Sequence, residues 1–379
     1  MGSTLQRYLL REVRGAFVAG MALAVAILFV LRMVEFVDLA FARGVPSRLV
    51  LALAGYIIPS YLEVALPMAA LLSVVVVFAR LSAEGELIAL RASGINLPQL
   101  SRPLFAFGLA TAALSLVLGV WLRPWANRGI EQTTYKMART RLTAALRPGV
   151  FNSWFGGVIL YVDHLDSKTG HMQRVLLSEE RDAYGRKTIF AGEGRVESNE
   201  DARTAYLQLA GGSLITYHAS GKYHDKTDFD SLELNLDMTE DTGVDLAKQG
   251  GPPAMRLGDL LAKRTELLAR GESAIEESVE LQRKFVLPVA ALLLPLVGVP
   301  LGVSGRRGVK SRGLVLSVAV VLLYYLLLTA AMTLARQQTA PPWAAMWLPN
   351  VVLGLLGAWM FQRAAQERPL LSFPRRSSS

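Results

Sequence analysis

The sequence specifies an α-helical polytopic membrane protein, with six transmembrane helices set three and three around an inserted β-jelly-roll-like domain. Three observations carry that expectation. The 379 residues are 52% hydrophobic and only 19% charged, with positive mean hydropathy, whereas soluble domains run at about a quarter charged. Six long intervals are free, or nearly free, of ionisable residues, and a bilayer core takes about 20 apolar residues per helix. Between the third and fourth of these lies a polar stretch, residues 124–279, in which runs of strand character are separated by Asp, Gly, Ser and Asn clusters.

The first interval, between Arg14 and Arg32, holds 17 uncharged residues. It reads as an uncleaved anchor, because its apolar run is at the long end and Ala40-Phe41-Ala42, a cleavage-like triplet, is separated from it by Arg32, Glu35 and Asp38. The second runs from Leu49 to Arg80, contains Pro59 and Pro67, and is broken only by Glu63. The third, Arg102 to Arg123, encloses 20 residues. After the insertion, Lys284 to Arg306 encloses 21, Arg312 to Arg336 encloses 23 and Arg336 to Arg363 encloses 26. The expected divisions are 1–123 for the first three spans, 124–279 for the inserted domain with its flanking helices, 280–365 for the last three spans, and a tail over 366–379.

Lys and Arg in the short flanks set the orientation, since cytoplasmic loops carry the excess. One side holds fourteen, within residues 7–14, 80–102, 306–312 and 363–376; the other side's short loops hold three, Arg43, Arg48 and Arg336. Both termini are therefore expected in the cytoplasm and the insertion outside. The formal net charge of +9 divides into −4 on the insertion and +13 on the membrane part. The basicity is thus a membrane signal, and no nucleic-acid partner is expected.

Within the insertion, a helix over 125–146 should end at Arg147-Pro148-Gly149, a strong breaker. Residues 158–162 form an apolar run, 206–209 and 213–217 flank Gly211-Gly212 as two strands, and Leu232, Leu234, Leu236 and Met238 alternate with polar residues. Short strands of this kind suggest a β-sandwich or jelly roll. Gly250-Gly251-Pro252-Pro253 marks a linker, after which Leu257, Leu260, Leu261, Leu267 and Leu268 predict an amphipathic helix.

Covalent chemistry finds little support. There is no cysteine, so no disulfide, thiolate nucleophile or Cys-ligated metal is available. The chain lacks G-x-x-x-x-G-K-[ST], H-E-x-x-H and G-x-S-x-G. Its four histidines, His164, His171, His218 and His224, are irregularly spaced in the insertion, which favours surface positions over a zinc site. Without a phosphate-cradling loop, ATP-driven work would need an ATPase on another chain.

Two constellations remain. The connection over 81–94 contains Glu84, Glu86, Leu87, Ile88, Leu90 and Arg91 and ends at Gly94, predicting a brief helix with a glycine stop. It fits a solvated interfacial helix, and it equally fits a coupling helix whose Glu84 and Glu86 sit in a groove of a cytoplasmic ATPase. The second is a set of ionisable groups toward the outer ends of the spans: Arg32 and Glu35 at i, i+3, Glu63 inside the second span, and Arg123, Arg283 and Lys284 where the third span leaves and the fourth enters. Intramembrane charge costs a few kcal/mol on insertion scales and points to function by default. A basic collar around an anionic lipid head group is one reading; snorkelling to ordinary phosphates and an Arg32–Glu35 pair are the other.

Several stretches are similar to one family. Arg7-Tyr8-Leu9-Leu10-Arg11-Glu12, Leu66-Pro67-Met68-Ala69-Ala70-Leu71-Leu72, Glu84-Gly85-Glu86-Leu87 with Ala92-Ser93-Gly94, Pro148-Gly149-Val150-Phe151-Asn152, and Gly298-Val299-Pro300-Leu301-Gly302-Val303 occur in order along the chain. Together with the 3 + domain + 3 layout, the sequence resembles the lipopolysaccharide-export permeases LptF/LptG, also called the YjgP/YjgQ family, over essentially its full length. Residues 147–161 and Arg306-Arg307 look F-like, whereas Phe36-Val37-Asp38 and Pro67-Met68-Ala69-Ala70 look G-like, with the F type favoured.

The resemblance implies a permease of the bacterial inner membrane, paired with its paralogue (LptG if this chain is of the F type) on a dimer of the LptB ATPase. Lipopolysaccharide would pass through periplasmic β-domains to LptC and then LptA. ATP and Mg would be used by the partner ATPase, with no cofactor bound by this chain. Glu86 matches the family's acidic coupling residue, with Glu84, Leu87 and Arg91 beside it. Arg32 matches a basic residue that touches lipid phosphates; Glu35 stands where F-type members can carry a second basic residue. Arg123, Arg283 and Lys284 complete the expected lipid-binding set. The rival from another class is a membrane-anchored scaffold whose outer β-domain binds a partner protein, for which six spans are excessive.

Overall fold

The computed structural model describes residues 3–37, 46–145, 148–154, 158–166, 171–182, 185–199, 204–218, 224–236, 251–303 and 310–366. In chain order the helices are α1 (Ser3–Val37), α2 (Ser47–Ala83), α3 (Glu86–Ala92), α4 (Leu97–Val117), a π-helical turn (Leu118–Leu122) and α5 (Arg123–Ala145). Strands β1 (Phe151–Trp154), β2 (Val158–Leu165), β3 (His171–Asp182), β4 (Gly185–Asn199), β5 (Thr204–His218) and β6 (His224–Leu236) follow. The chain then forms a 3-10 turn (Pro252–Ala254), α6 (Leu257–Ala269), α7 (Ile275–Val303), α8 (Lys310–Arg336) and α9 (Pro342–Ala365). Six helical segments are long and apolar enough to cross a membrane: Thr4–Val34, Ser47–Ala83, Leu97–Thr134, Ile275–Val303, Gly313–Arg336 and Pro342–Ala365. Each overlaps one of the six intervals expected from the sequence.

By its contacts the chain divides into two compact units, Met1–Val34 with Ala54–Arg128 and Gly251–Ser379, and Glu35–Leu53 with Gly129–Gly250. The first is helical and includes α6, whose Arg264 Nε donates to Ser278 Oγ at 3.0 Å and whose Lys263 pairs with Glu277 at 3.3 Å.

Helix α7 is the centre of the helical unit. One apolar cluster gathers Leu71 and Val75 of α2, Val286, Leu287, Leu294 and Leu301 of α7, Tyr324 and Leu328 of α8, and Met346 and Leu353 of α9. A second gathers Leu9 and Val13 of α1, Val74 and Phe78 of α2, Leu87 of α3, and Leu97 and Leu104 of α4. Small residues permit the close packing, because association in lipid rests on van der Waals contact rather than on water exclusion. A Cβ built on Gly302 would lie 2.5 Å from the Phe78 Cβ and 3.0 Å from the Val75 carbonyl, and one on Gly298 would lie 3.1 Å from the Leu71 carbonyl. Large apolar side chains of α1 and α8, among them Leu23, Ile27, Leu31, Leu322 and Leu326, are exposed, a surface suited to lipid.

Local signals explain the helix ends. Asn96 Oδ1 accepts from the Gln99 N–H at 3.0 Å and Gln99 Oε1 from the Asn96 N–H at 3.2 Å, a reciprocal capping box that starts α4. Helix α3 stops at Gly94, φ +81°: the Gly94 N–H reaches the Arg91 carbonyl and the Ile95 N–H the Leu90 carbonyl, the paired bonds of a Schellman motif. Prolines inside α2 and α7 leave carbonyls without their i+4 donor, and at one of them a neighbour supplies it. Thr111 Oγ1 donates at 2.9 Å to the carbonyl of Ala291, four residues before Pro295.

The second unit carries one six-stranded sheet in the order β1-β2-β3-β4-β5-β6, every neighbouring pair antiparallel. The expected sandwich or jelly roll therefore takes, among the described strands, the form of a meander without crossed connections. Its buried face is set by register: Leu160 opposes Leu177, Leu177 opposes Ile189, and Ile189 opposes Leu214, so one row of aliphatics crosses four strands. Leu232 and Leu234 oppose Leu209 and Leu207, as their alternation with polar residues requires. Gly211-Gly212, expected to separate two strands, lies inside β5 instead. A Cβ on Gly212 would collide with the Phe190 carbonyl, so the glycine serves close strand approach rather than a turn.

Candidate functional site

Two polar constellations stand out in the helical unit. The first surrounds α3. Gly85 precedes it with φ +80°, a left-handed conformation that a side chain would strain, and its carbonyl accepts from the Ile88 and Ala89 N–H groups, both at 3.1 Å. Leu87 is buried among Leu9, Leu81 and Leu97, while Ile88 is exposed. Glu84 is exposed at the end of the α2 turn and Glu86 is half-buried at the first helical position. Tyr8 Oη of α1 donates to Glu86 Oε2 at 3.4 Å and accepts from Arg80 Nη2 at 3.2 Å. The same guanidinium pairs with Glu12 Oε2 at 3.0 Å and approaches Glu84 Oε2 at 4.0 Å. Arg91, in the last turn, is half-exposed. All four expected coupling residues thus lie on or beside one short helix.

The second lies where α2, the π-helical turn and α7 meet. Arg123 at the start of α5 pairs with Glu280 Oε1 at 2.5 Å and Glu63 Oε2 at 3.2 Å. Arg283 reaches the same Glu63 oxygen at 3.2 Å and Glu280 Oε2 at 3.7 Å. Lys284 Nζ donates to the Gly119 carbonyl at 2.9 Å, within the π-helical turn. A turn of i→i+5 bonds carries an extra residue and disturbs the carbonyl ladder, which opens an acceptor to such a donor. Gly119 also makes room, since a Cβ there would lie 3.1 Å from Glu63 Oε1.

Burial is nearly complete: Glu63 and Lys284 are 1% exposed and Arg123 and Glu280 6%, while the Arg283 side chain keeps 17%. At formal charge the five groups sum to +1, three cations against two carboxylates. Around them, Tyr325 Oη donates to the Val64 carbonyl at 2.6 Å, one turn before Pro67, and Asn127 Nδ2 donates to the Pro253 carbonyl at 3.2 Å.

The structure therefore brings together Arg123, Arg283 and Lys284 as the sequence expected, but turns them inward, the two arginines onto carboxylates and Lys284 onto the Gly119 carbonyl. Glu280 was the member missed. Its signal was the run Glu277, Glu280, Arg283, Lys284, spaced at three and four residues along α7; nothing local shows that its partner is 157 residues away. Arg32 lies half-buried on α1. The Glu35 side chain falls outside the described residues, and the Arg32–Glu35 pairing with it. His171 of β3 lies 3.5 Å from Glu193 of β4, and His164 is exposed on β2.

Comparison with known proteins adds a separate line. The sequence profile of the family described as lipopolysaccharide export system permease LptF/LptG matches residues 7–363. The lipopolysaccharide export system permease protein LptF of Escherichia coli (strain K12) is 22% identical over 353 residues, 91% of each chain, and the protein of the same name from Shigella flexneri matches to the same extent. An uncharacterized protein of Rickettsia prowazekii (strain Madrid E) is 23% identical over 197 residues, 52% of this chain and 53% of that one.

Proposed function

The chain belongs to the family of lipopolysaccharide export system permeases LptF/LptG, and from that premise we propose how its two polar constellations serve lipid export. It is a multi-pass membrane permease subunit whose cargo is lipopolysaccharide. The observation that carries the reading is the family match across 7–363 on a chain of three spans, a β-sheet insertion and three spans. The F type is favoured by the LptF relatives that cover 91% of the chain.

The Lys/Arg excess supports an inner-membrane orientation with both termini cytoplasmic and residues of about 124–279 periplasmic. On that orientation α3 faces the cytoplasm. Glu84, Glu86 and Arg91 form the contact with a separate ATPase, the LptB dimer, which uses ATP and Mg. Leu87 anchors the short helix in the core, and the two acids present charge to a basic groove. The paralogous permease closes the other side of the lipid path, and LptC and LptA receive the lipid beyond the sheet.

At the opposite end, the acyl chains need only an apolar wall, which Leu23, Ile27 and Leu31 of α1 supply. The lipid phosphates need fixed cations. Arg32 and Arg283 suit that role best, because Arg32 is half-buried and Arg283 keeps more exposure than Arg123 or Lys284. Arg123 and Lys284 contribute the surplus positive charge from behind and hold the helices that frame the site.

Affinity purification of the intact complex from a Gram-negative host, with mass spectrometry of proteins and lipids, tests the proposal. A second six-span permease, an ATPase and lipopolysaccharide are expected; recovery with a periplasmic protein alone would overturn it. For the coupling contact, Glu86→Lys should leave the permease in the membrane without its ATPase, and normal association with normal export would refute that assignment.

A further inference from the structure

The coupling helix α3 has seven residues, far fewer than the dozen or so a helix needs to hold itself in water. Its position must come from what grips it. Leu87 supplies an apolar peg. The polar grip comes from α1, more than seventy residues earlier in the chain.

We infer that Tyr8 and Arg80 are positioning residues for the coupling acids, fastening α3 to the first span so that a displacement of α3 is handed directly to α1. The inference rests on the coupling role proposed for Glu84 and Glu86. The Tyr8 hydroxyl works in both directions: it donates to Glu86 Oε2 at 3.4 Å and accepts from Arg80 Nη2 at 3.2 Å. Arg80 is itself held to Glu12, one turn further along α1, at 3.0 Å and lies 4.0 Å from Glu84. Both acids are therefore tied to α1 through one guanidinium and one phenol.

Helix α1 is suited to receive that motion. Leu9 and Val13 are fully buried, Phe17 stacks edge-on with Phe107 at 5.5 Å, and Phe17 and Met21 pack on Leu66. From Leu23 onward, Ile27, Val30, Leu31 and Val34 are exposed. The helix is thus packed over its first half, and Phe36 near its far end is buried as well. A tilt imposed near Tyr8 is carried to Arg32, 24 residues on and roughly 36 Å away at helical rise. Without the tie, α3 would still pull α2 and α4, to which it is joined covalently, but α1 would follow only through apolar contact.

The test uses the full permease complex with its ATPase, reconstituted in proteoliposomes with lipopolysaccharide. Tyr8→Phe keeps the ring and removes only the hydroxyl; Glu12→Gln loosens Arg80 by a second route. Both variants should retain the ATPase and unfold as the wild type does, while lipid released per ATP hydrolysed falls about tenfold, in line with losing one hydrogen bond to a charged group. Because the chain has no native cysteine, spin labels placed on the purified chain at Thr4→Cys and Ala92→Cys before assembly report α1 against α3 without background. In the wild type their separation should stay constant between nucleotide-free and ATP-bound states; in Tyr8→Phe it should change.

Wild-type lipid per ATP together with a constant separation in Tyr8→Phe would overturn the inference. Glu86→Lys separates the two levels. If it uncouples the ATPase while Tyr8→Phe is silent, the coupling assignment stands and the tie to α1 fails. If Glu86→Lys is itself silent, the coupling assignment fails, and the label separation alone decides whether α1 follows α3.

Discussion

Glu280→Gln is the substitution that best tests the buried charge cluster. In the wild type, three cations surround two carboxylates. Removing the Glu280 charge leaves Arg123, Arg283 and Lys284 around Glu63 alone, with Arg123 losing its 2.5 Å partner and Arg283 its 3.7 Å one. Breaking a buried pair by removing one partner costs about 3–5 kcal/mol, because the remaining charge stays desolvated. Arg123→Met removes more atoms yet should cost less, about 1–3 kcal/mol. It leaves two cations and two carboxylates, and Arg283 still reaches Glu63 at 3.2 Å and Glu280 at 3.7 Å. The double variant restores the net charge of +1, so the two changes should be non-additive, with a coupling of about 1–3 kcal/mol in the sense of mutual rescue. Denaturant unfolding of the full chain in mixed micelles measures all four corners of the cycle. An Arg123→Met loss equal to or larger than that of Glu280→Gln, or additivity within about 0.5 kcal/mol, would refute the reasoning.

Three further outcomes follow from the geometry. Gly302→Ala forces a Cβ to within 2.5 Å of Phe78 and 3.0 Å of the Val75 backbone and should destabilise by about 1–3 kcal/mol, whereas Gly258→Ala meets nothing within 4 Å and should be neutral or stabilising by up to about 1 kcal/mol; the same unfolding assay ranks them. Gly85→Ala, at φ +80°, costs about 1–2 kcal/mol locally, so amide hydrogen exchange at Ile88 and Ala89 should accelerate about 5- to 30-fold with the slowest α7 amides unchanged. Gly212→Ala cannot keep the sheet's spacing against Phe190, and exchange across the β4–β5 ladder should rise while helical amides hold.

The spans were legible because charge in a bilayer is expensive, so the intervals between ionisable residues mark them. Their ends were less so: α2 runs from Ser47 to Ala83, and the third span continues through the π-helical turn into α5. Strand β6 was readable from its alternation, since its leucines face a buried sheet surface through Leu207 and Leu209. Strands β3 and β4 are less legible, because Leu176 and Phe190 put apolar residues on the opposite face and Arg174, at φ +52°, takes Met172 and Val175 out of a two-residue repeat. Gly211-Gly212 looked like a turn because a local window cannot distinguish a glycine needed for bending from one needed for a neighbour's carbonyl. The same limit governs the site. Glu63 was conspicuous alone in an apolar run, but its partners Arg123 and Arg283 are set by helix packing rather than by spacing.

Both constellations share helix α2. Glu63 sits in the cluster with Arg123, Glu280 and Arg283, and Arg80 sits in the network with Tyr8, Glu12 and Glu84. Seventeen residues separate them, roughly 25 Å at helical rise. Between them, Leu71, Val74, Val75 and Phe78 are fully buried and pack into the two apolar clusters. Helix α2 can therefore hardly rotate without carrying α7, whose Gly298 and Gly302 let the two backbones approach. The charge cluster at one end and this buried packing make α2 and α7 a stiff pair, while the Arg80 network ties α2 to α1 at the other. On the coupling role proposed for α3, a push there would reach α1 through Tyr8 and Arg80, while the buried cluster keeps α2 and α7 together.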